Sequence, residues 1–171
     1  KKAELKQRFV SDRLTELRVL AEKSRDSRVI KDAASALDRE MENLKNQAGK
    51  IQPQAQDDPR VKQFLDKFVE QSILQQKLLE RLESRVPAQA FEKIETSRQS
   101  HLQKFGEVMN KLEDKSQMAE TIKEALGKQP ETQLKPLQDL KLIQSLKDWL
   151  PLQAGESLKA LEEEKFQMIK S

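Results

Sequence analysis

The chain holds one histidine, His101, and no cysteine. Any imidazole chemistry must therefore be built around a single residue. General acid–base work needs an orienting partner, and a zinc site needs further ligands at fixed spacing. At helical spacing from His101 stand Ser97, Arg98 and Lys104, which make neither set. His101 is expected at the boundary or surface of its helix, without a catalytic role. The lack of cysteine removes disulfides, thiolate metal sites and thiol nucleophiles.

Carboxylates cluster at Asp57-Asp58 and at Glu162-Glu163-Glu164. Each can attract a hard divalent cation weakly, but neither has the spacing of a calcium loop. Asp58, just before Pro59, already has a structural use as a helix cap. No glycine-rich phosphate loop or nucleophile elbow appears. These residues predict a protein that is not an enzyme, with no catalytic, metal or cofactor-binding residue. Trp149 is the only tryptophan. It either anchors a late helix or belongs to an apolar strip of Leu142, Leu146, Trp149, Leu150 and Leu152. Such a strip, left exposed, would suit a partner protein or a membrane interface.

The elements that carry these residues are helices. Charged residues make up 36% of the 171, aromatics 4%, with four glycines and no tyrosine. That is the profile of long solvated helices, and no alternating β-branched run is present. The fold class predicted is all-α: an antiparallel bundle of about four long helices, then two or three shorter ones. The clearest signal is residues 72–112, two amphipathic helices meeting at Arg85-Val86-Pro87. Before the turn Leu74, Leu78, Leu79 and Leu82 recur every three or four residues. After it Phe91, Ile94, Leu102, Phe105, Met109 and Leu112 do the same. Proline cannot easily continue a helix but can open one, so a short turn and an αα-hairpin follow.

Taken in order, a first helix is predicted from about Ala3 to Lys23, with Leu5, Phe9, Val10, Leu14, Leu17, Leu20 and Ala21 on its apolar stripe. Asp26 or Ser27 caps a second, from about Arg28 to Ala48, striped by Ile30, Ala33, Ala34, Leu37, Met41, Leu44 and Ala48. Gly49 is a candidate C-cap. Residues 50–59 read as a loop. The third helix runs from Pro59 to about Ser84 and the fourth from Pro87 to about Asp114. Beyond lie a short helix stopped by Gly127, a loop over 128–136, a helix from Leu137 to Leu150, and a last helix after Gly155 to about Lys170. Gln75, Gln76, Gln99 and Gln103 suit polar helix faces or partner contacts. Residues 1–115 are expected to form the bundle, and 116–171 an extension that packs on it or links to another domain.

Charge narrows the partners. The 32 basic and 29 acidic residues leave a net charge of +3, with the signs interspersed. A nucleic-acid binder would show a basic stripe with aromatics or a known motif, so none is expected. No apolar run approaches the roughly 20 residues of a membrane span. Membrane anchoring is expected only through segments outside this chain. The opening Lys-Lys, without a methionine, fits a trimmed or mature fragment, which leaves open whether a signal peptide or anchor precedes Lys1.

The stretch LLERLESRVPAQAFEKIETSRQSHLQKFGEVMNKL (78–112) resembles the hairpin of a bacterial family named domain of unknown function 5667. There a leucine-rich helix ends in a valine–proline turn, and a helix with a Ser and a His or Arg near its middle follows. The opening KKAELKQRFVSDRLTELRVLAEK is similar to that family's first helix. The resemblance covers roughly residues 1–115 and implies a bacterial protein acting outside the cytoplasmic membrane, in periplasm or at the cell surface. It implies no activity and no site residues.

The function expected is that of a non-enzymatic, coiled-coil-like interaction or structural domain of a bacterial surface or envelope protein. Its partner is a protein or a second copy of the chain, met through the strip at Trp149 or the small residues of the second helix. The alternative is a periplasmic, chaperone-like binder of unfolded proteins. Its hint is the basic excess of residues 1–50, 13 basic against 9 acidic. A third reading is association with anionic polymers or lipids through the same helices.

Overall fold

In the computed structural model, residues 1–51 and 57–171 are described, and within them lie seven helices and no strand. They are α1 (Lys2–Lys23), α2 (Ser27–Ala48), α3 (Pro59–Glu83), α4 (Ala88–Leu112), α5 (Met118–Gly127), α6 (Lys135–Lys147) and α7 (Leu152–Lys170). The first four have 22, 22, 25 and 25 residues and the last three 10, 13 and 19. The all-α class and the long-then-short order are those the periodicity predicts.

Local chemistry sets the helix ends. The Asp26 carboxylate accepts the Arg28 N–H at 2.9 Å and starts α2. Asp58 accepts the Arg60 N–H at 2.8 Å, and Pro59 opens α3, a position where its missing N–H costs nothing. The Arg60 side chain and backbone bonds hold the Asp58 carboxyl below its usual range. Pro87 precedes α4, and its carbonyl accepts the Ala90 N–H at 2.8 Å. Three ends differ from expectation. α6 starts at Lys135 with Pro136 in its first turn, and stops at Lys147. α7 starts at Leu152, because Pro151 turns the chain with ψ 150° and accepts the Gly155 N–H at 3.0 Å. Gly155 is thus buried inside the helix instead of preceding it. Within the loop expected over 50–59, residues 52–56 lie outside the described part.

The chain divides into two compact units, Lys1–Ile51 with Gln75–Lys104, and Gln52–Leu74 with Phe105–Ser171. This division falls inside α3 and α4. In the first unit, the seven residues of the expected α2 stripe are all buried as their spacing requires, while Val29 is exposed. The α1 stripe is Gln7, Val10, Leu14, Leu17 and Ala21, whereas Leu5 and Phe9 are exposed. Adjacent ridges of one helix are both periodic, and the neighbouring helices choose between them.

In the second unit, Phe68 stacks near Phe64 with ring centroids 6.0 Å apart and meets Phe105 edge-on at 5.6 Å, both favourable geometries. Met118, Ile122, Ala125 and Leu126 bury the inner face of α5. α6 and α7 form a hairpin, tied where Gln144 and Lys147 donate to Glu162 at 3.0 and 2.6 Å.

The turn between α6 and α7 docks on α4 at Gly106. A Cβ there would lie 2.7 Å from Trp149 Cβ and 3.2 Å from Trp149 O, and Asn110 Nδ2 donates to that oxygen at 3.0 Å. Trp149 therefore anchors the late hairpin inside its own unit. Gly106→Leu is expected to cost about 1–3 kcal/mol, because overpacking outweighs the roughly 1 kcal/mol helix gain on losing glycine. Urea unfolding should show an earlier midpoint, with Trp149 emission shifted to the red in the native state. An unchanged midpoint would refute this docking.

Candidate functional site

His101 is 1% exposed, not at a boundary as its neighbours in sequence suggest. Its Nε2 lies 2.8 Å from Gln75 Oε1, and its Nδ1 lies 2.6 Å from Gln76 Nε2. An amide oxygen only accepts and an amide nitrogen only donates, so the imidazole carries its proton on Nε2. Gln76 Nε2 also reaches the Arg98 carbonyl at 3.1 Å, and Gln75 Nε2 reaches Ser11 Oγ at 3.4 Å. This polar layer joins α1, α3 and α4. Burial, aided by the charge of Lys104, lowers the His101 pKa to about 3. The ring is neutral, both nitrogens are engaged, and solvent does not reach it. What the arrangement does chemically is fix the helices in register.

A second polar group lies beside it in the same unit. Asp38 Oδ2 accepts Lys93 Nζ at 2.7 Å and Ser97 Oγ at 3.2 Å. Lys104 Nζ donates to the Asp38 carbonyl at 3.3 Å and lies 3.5 Å from Glu42. Arg98 pairs with Glu83 across the α3–α4 hairpin.

The reason sequence reading misplaced His101 is visible in the register. The buried side of α4 runs Ala90, Ile94, Ser97, His101, Phe105, an unbroken three-to-four spacing passing through two polar residues. On α3 it runs Ser72, Gln75, Gln76, Leu79, Leu82, while Leu74 is exposed. Following apolar type alone leaves an eight-residue gap from Ile94 to Leu102. Following the period through that gap finds the layer. Gln99 and Gln103 are exposed, as expected of polar faces.

In the second unit, Asp139 is fully buried, with Lys135 Nζ at 3.0 Å and Lys165 Nζ at 3.5 Å. Sequence reading passes over it, because Lys135 and Asp139 at i,i+4 look like a solvated pair. The acidic run has local employment: Glu162 takes Lys147 and Gln144, and its pKa is lowered by those bonds, while Glu163 accepts Gln167 Nε2 at 2.6 Å. Among the described residues no group of three His, Asp or Glu is placed to hold a metal ion. None of the described helices is long and apolar enough to cross a membrane.

The strip expected as a partner surface is split by the fold. Leu142, Leu146 and Leu150 are buried in the second unit, while Trp149 is 37% exposed and Leu152 85% exposed. The larger uncovered apolar group is at the other end of the hairpin. The buried stripe of α7 runs Ala154, Leu158, Leu161, and its spacing continues to Met168 and Ile169. Those two are 49% and 43% exposed, and Phe166 is 42% exposed. Because Lys165 meets Asp139, the start of α6 with exposed Leu134 and Leu137 lies at this same end. Leu140, Gln144, Lys159, Glu162, Glu163 and Phe166 line an open groove of ≈ 360 Å³ there.

No protein-family model matches the chain, and neither a curated protein nor a solved structure matches it.

Proposed function

We propose that the chain is a non-enzymatic helical interaction and structural module, which binds its partner through the uncovered end of the α6–α7 hairpin. The observation that carries this reading is the exposure of Phe166, Met168 and Ile169 in the last turns of α7, beyond the buried Ala154, Leu158 and Leu161. Large apolar side chains grouped at one site and rimmed by charge are the usual mark of a binding surface. The chemistry-bearing residues support the same reading, since His101 and Asp139 are spent on packing. The hairpin resemblance of residues 78–112 adds a bacterial, extracytoplasmic setting to the proposal.

The test compares the immobilised chain with its Phe166→Glu, Ile169→Glu variant for proteins retained from a bacterial envelope extract. Both positions are exposed, so the variant keeps its helical circular dichroism. The expected result is a defined set of proteins held by the parent and lost by the variant. Identical retention would overturn the reading of this end as the binding surface.

A further inference from the structure

The geometry points to a second copy of this chain as the occupant of the α6–α7 groove, with the two α7 helices crossing antiparallel at Phe166. The inference rests on the interaction-module reading and names its partner. A two-fold contact requires one surface to be complementary to itself, and the end of α7 has that property. Phe166 of α7 and Leu140 of α6 both line the groove. A two-fold axis near Phe166 sets the two rings together at the groove and lays the last turn of each α7 over the groove of the other copy.

Charge fits the same symmetry. Glu163 lies three residues before Phe166 and Lys170 four residues after it. In an antiparallel crossing, Glu163 of each copy therefore meets Lys170 of the other. Lys170 Nζ already sits 4.3 Å from the Phe166 ring centroid, so the cation is poised at the crossing. A parallel arrangement would instead set Glu163 against Glu163 and Lys170 against Lys170. Residues 159–170 hold three lysines against three glutamates, so this end has no basic excess to hold an anionic lipid surface.

Sedimentation equilibrium of the full chain over a wide concentration range tests this. The expected mass rises from that of one chain to that of two. Phe166→Glu should raise the dissociation constant at least about tenfold, as loss of a central aromatic anchor does. Glu163→Lys and Lys170→Glu should each weaken it by roughly threefold, and their combination should return it to near the parent value. A monomer at every concentration overturns the inference, as does a dimer indifferent to Phe166→Glu or a charge swap that fails to restore. Phe166-dependent binding of the monomer to phosphatidylglycerol vesicles would also overturn it, assigning the face to lipid. A monomer whose retention of envelope proteins still depends on Phe166 and Ile169 removes the second copy alone. Indifference in both assays removes the interaction-module reading as well.

Discussion

Between about pH 6.5 and 4.5 the protein is expected to lose roughly 2 kcal/mol of stability through His101 alone. Burial, with Lys104 adding to it, lowers the imidazole pKa from 6.5 to about 3 in the folded chain. Below pH 6.5 the unfolded chain takes up a proton that the folded chain refuses. The unfolded state is then favoured by about 1.4 kcal/mol for each further pH unit. The stability is fully present above the unfolded pKa and drains away as pH falls toward the folded one. Urea unfolding of the parent and of His101→Gln at several pH values isolates the effect, since carboxylate titration is common to both. The parent curve should fall more steeply by about 1.4 kcal/mol per pH unit. Parallel curves would mean that His101 already titrates in the folded state.

Asp139→Asn is expected to cost about 3 kcal/mol or more, with the melting midpoint lower by roughly 6–12 °C. The substitution keeps the shape but leaves the ammonium of Lys135, whose side chain is 5% exposed, with only the exposed Glu131 carboxylate at 3.8 Å as counter-charge. Lys165 loses the same partner, and at 12% exposure its ammonium is closer to water. Removing one member of a buried pair is costly because the other stays desolvated and unpaired. Replacing both, as Lys135→Met with Asp139→Leu, should recover most of the loss, because the pair's attraction roughly offsets its own desolvation. Thermal unfolding by circular dichroism of the single and double variants checks both statements. A single-variant loss below about 1 kcal/mol would show that the cluster is solvated in practice.

Much of this fold was legible in the residues because it depends on local chemistry. Asp26 and Asp58 cap the helices that follow them, Pro87 separates α3 from α4, and the seven-residue stripe of α2 is buried as spaced. Each of these is decided within one or two helical turns, where capping bonds, proline sterics and apolar period act. The candidate surface was less legible. Leu142, Leu146 and Leu150 look identical in sequence to residues that would stay exposed, and only the partners of α6 bury them.

The sequence alone determined that the chain is helical, where most helices begin and end, and that long helices precede short ones. The tertiary structure decided which of two neighbouring ridges on a helix faces inward, burying Gln7 and leaving Phe9 exposed. It also decided that Gln75, Gln76, Ser97 and His101 belong to the core, and that Phe166 and Ile169 do not. The physical reason is one of range. A helix forms from contacts three and four residues apart, whereas burial of a polar side chain depends on whether another helix brings it a hydrogen-bond partner. His101 finds Gln75 and Gln76 more than twenty residues away, and no local pattern announces that meeting.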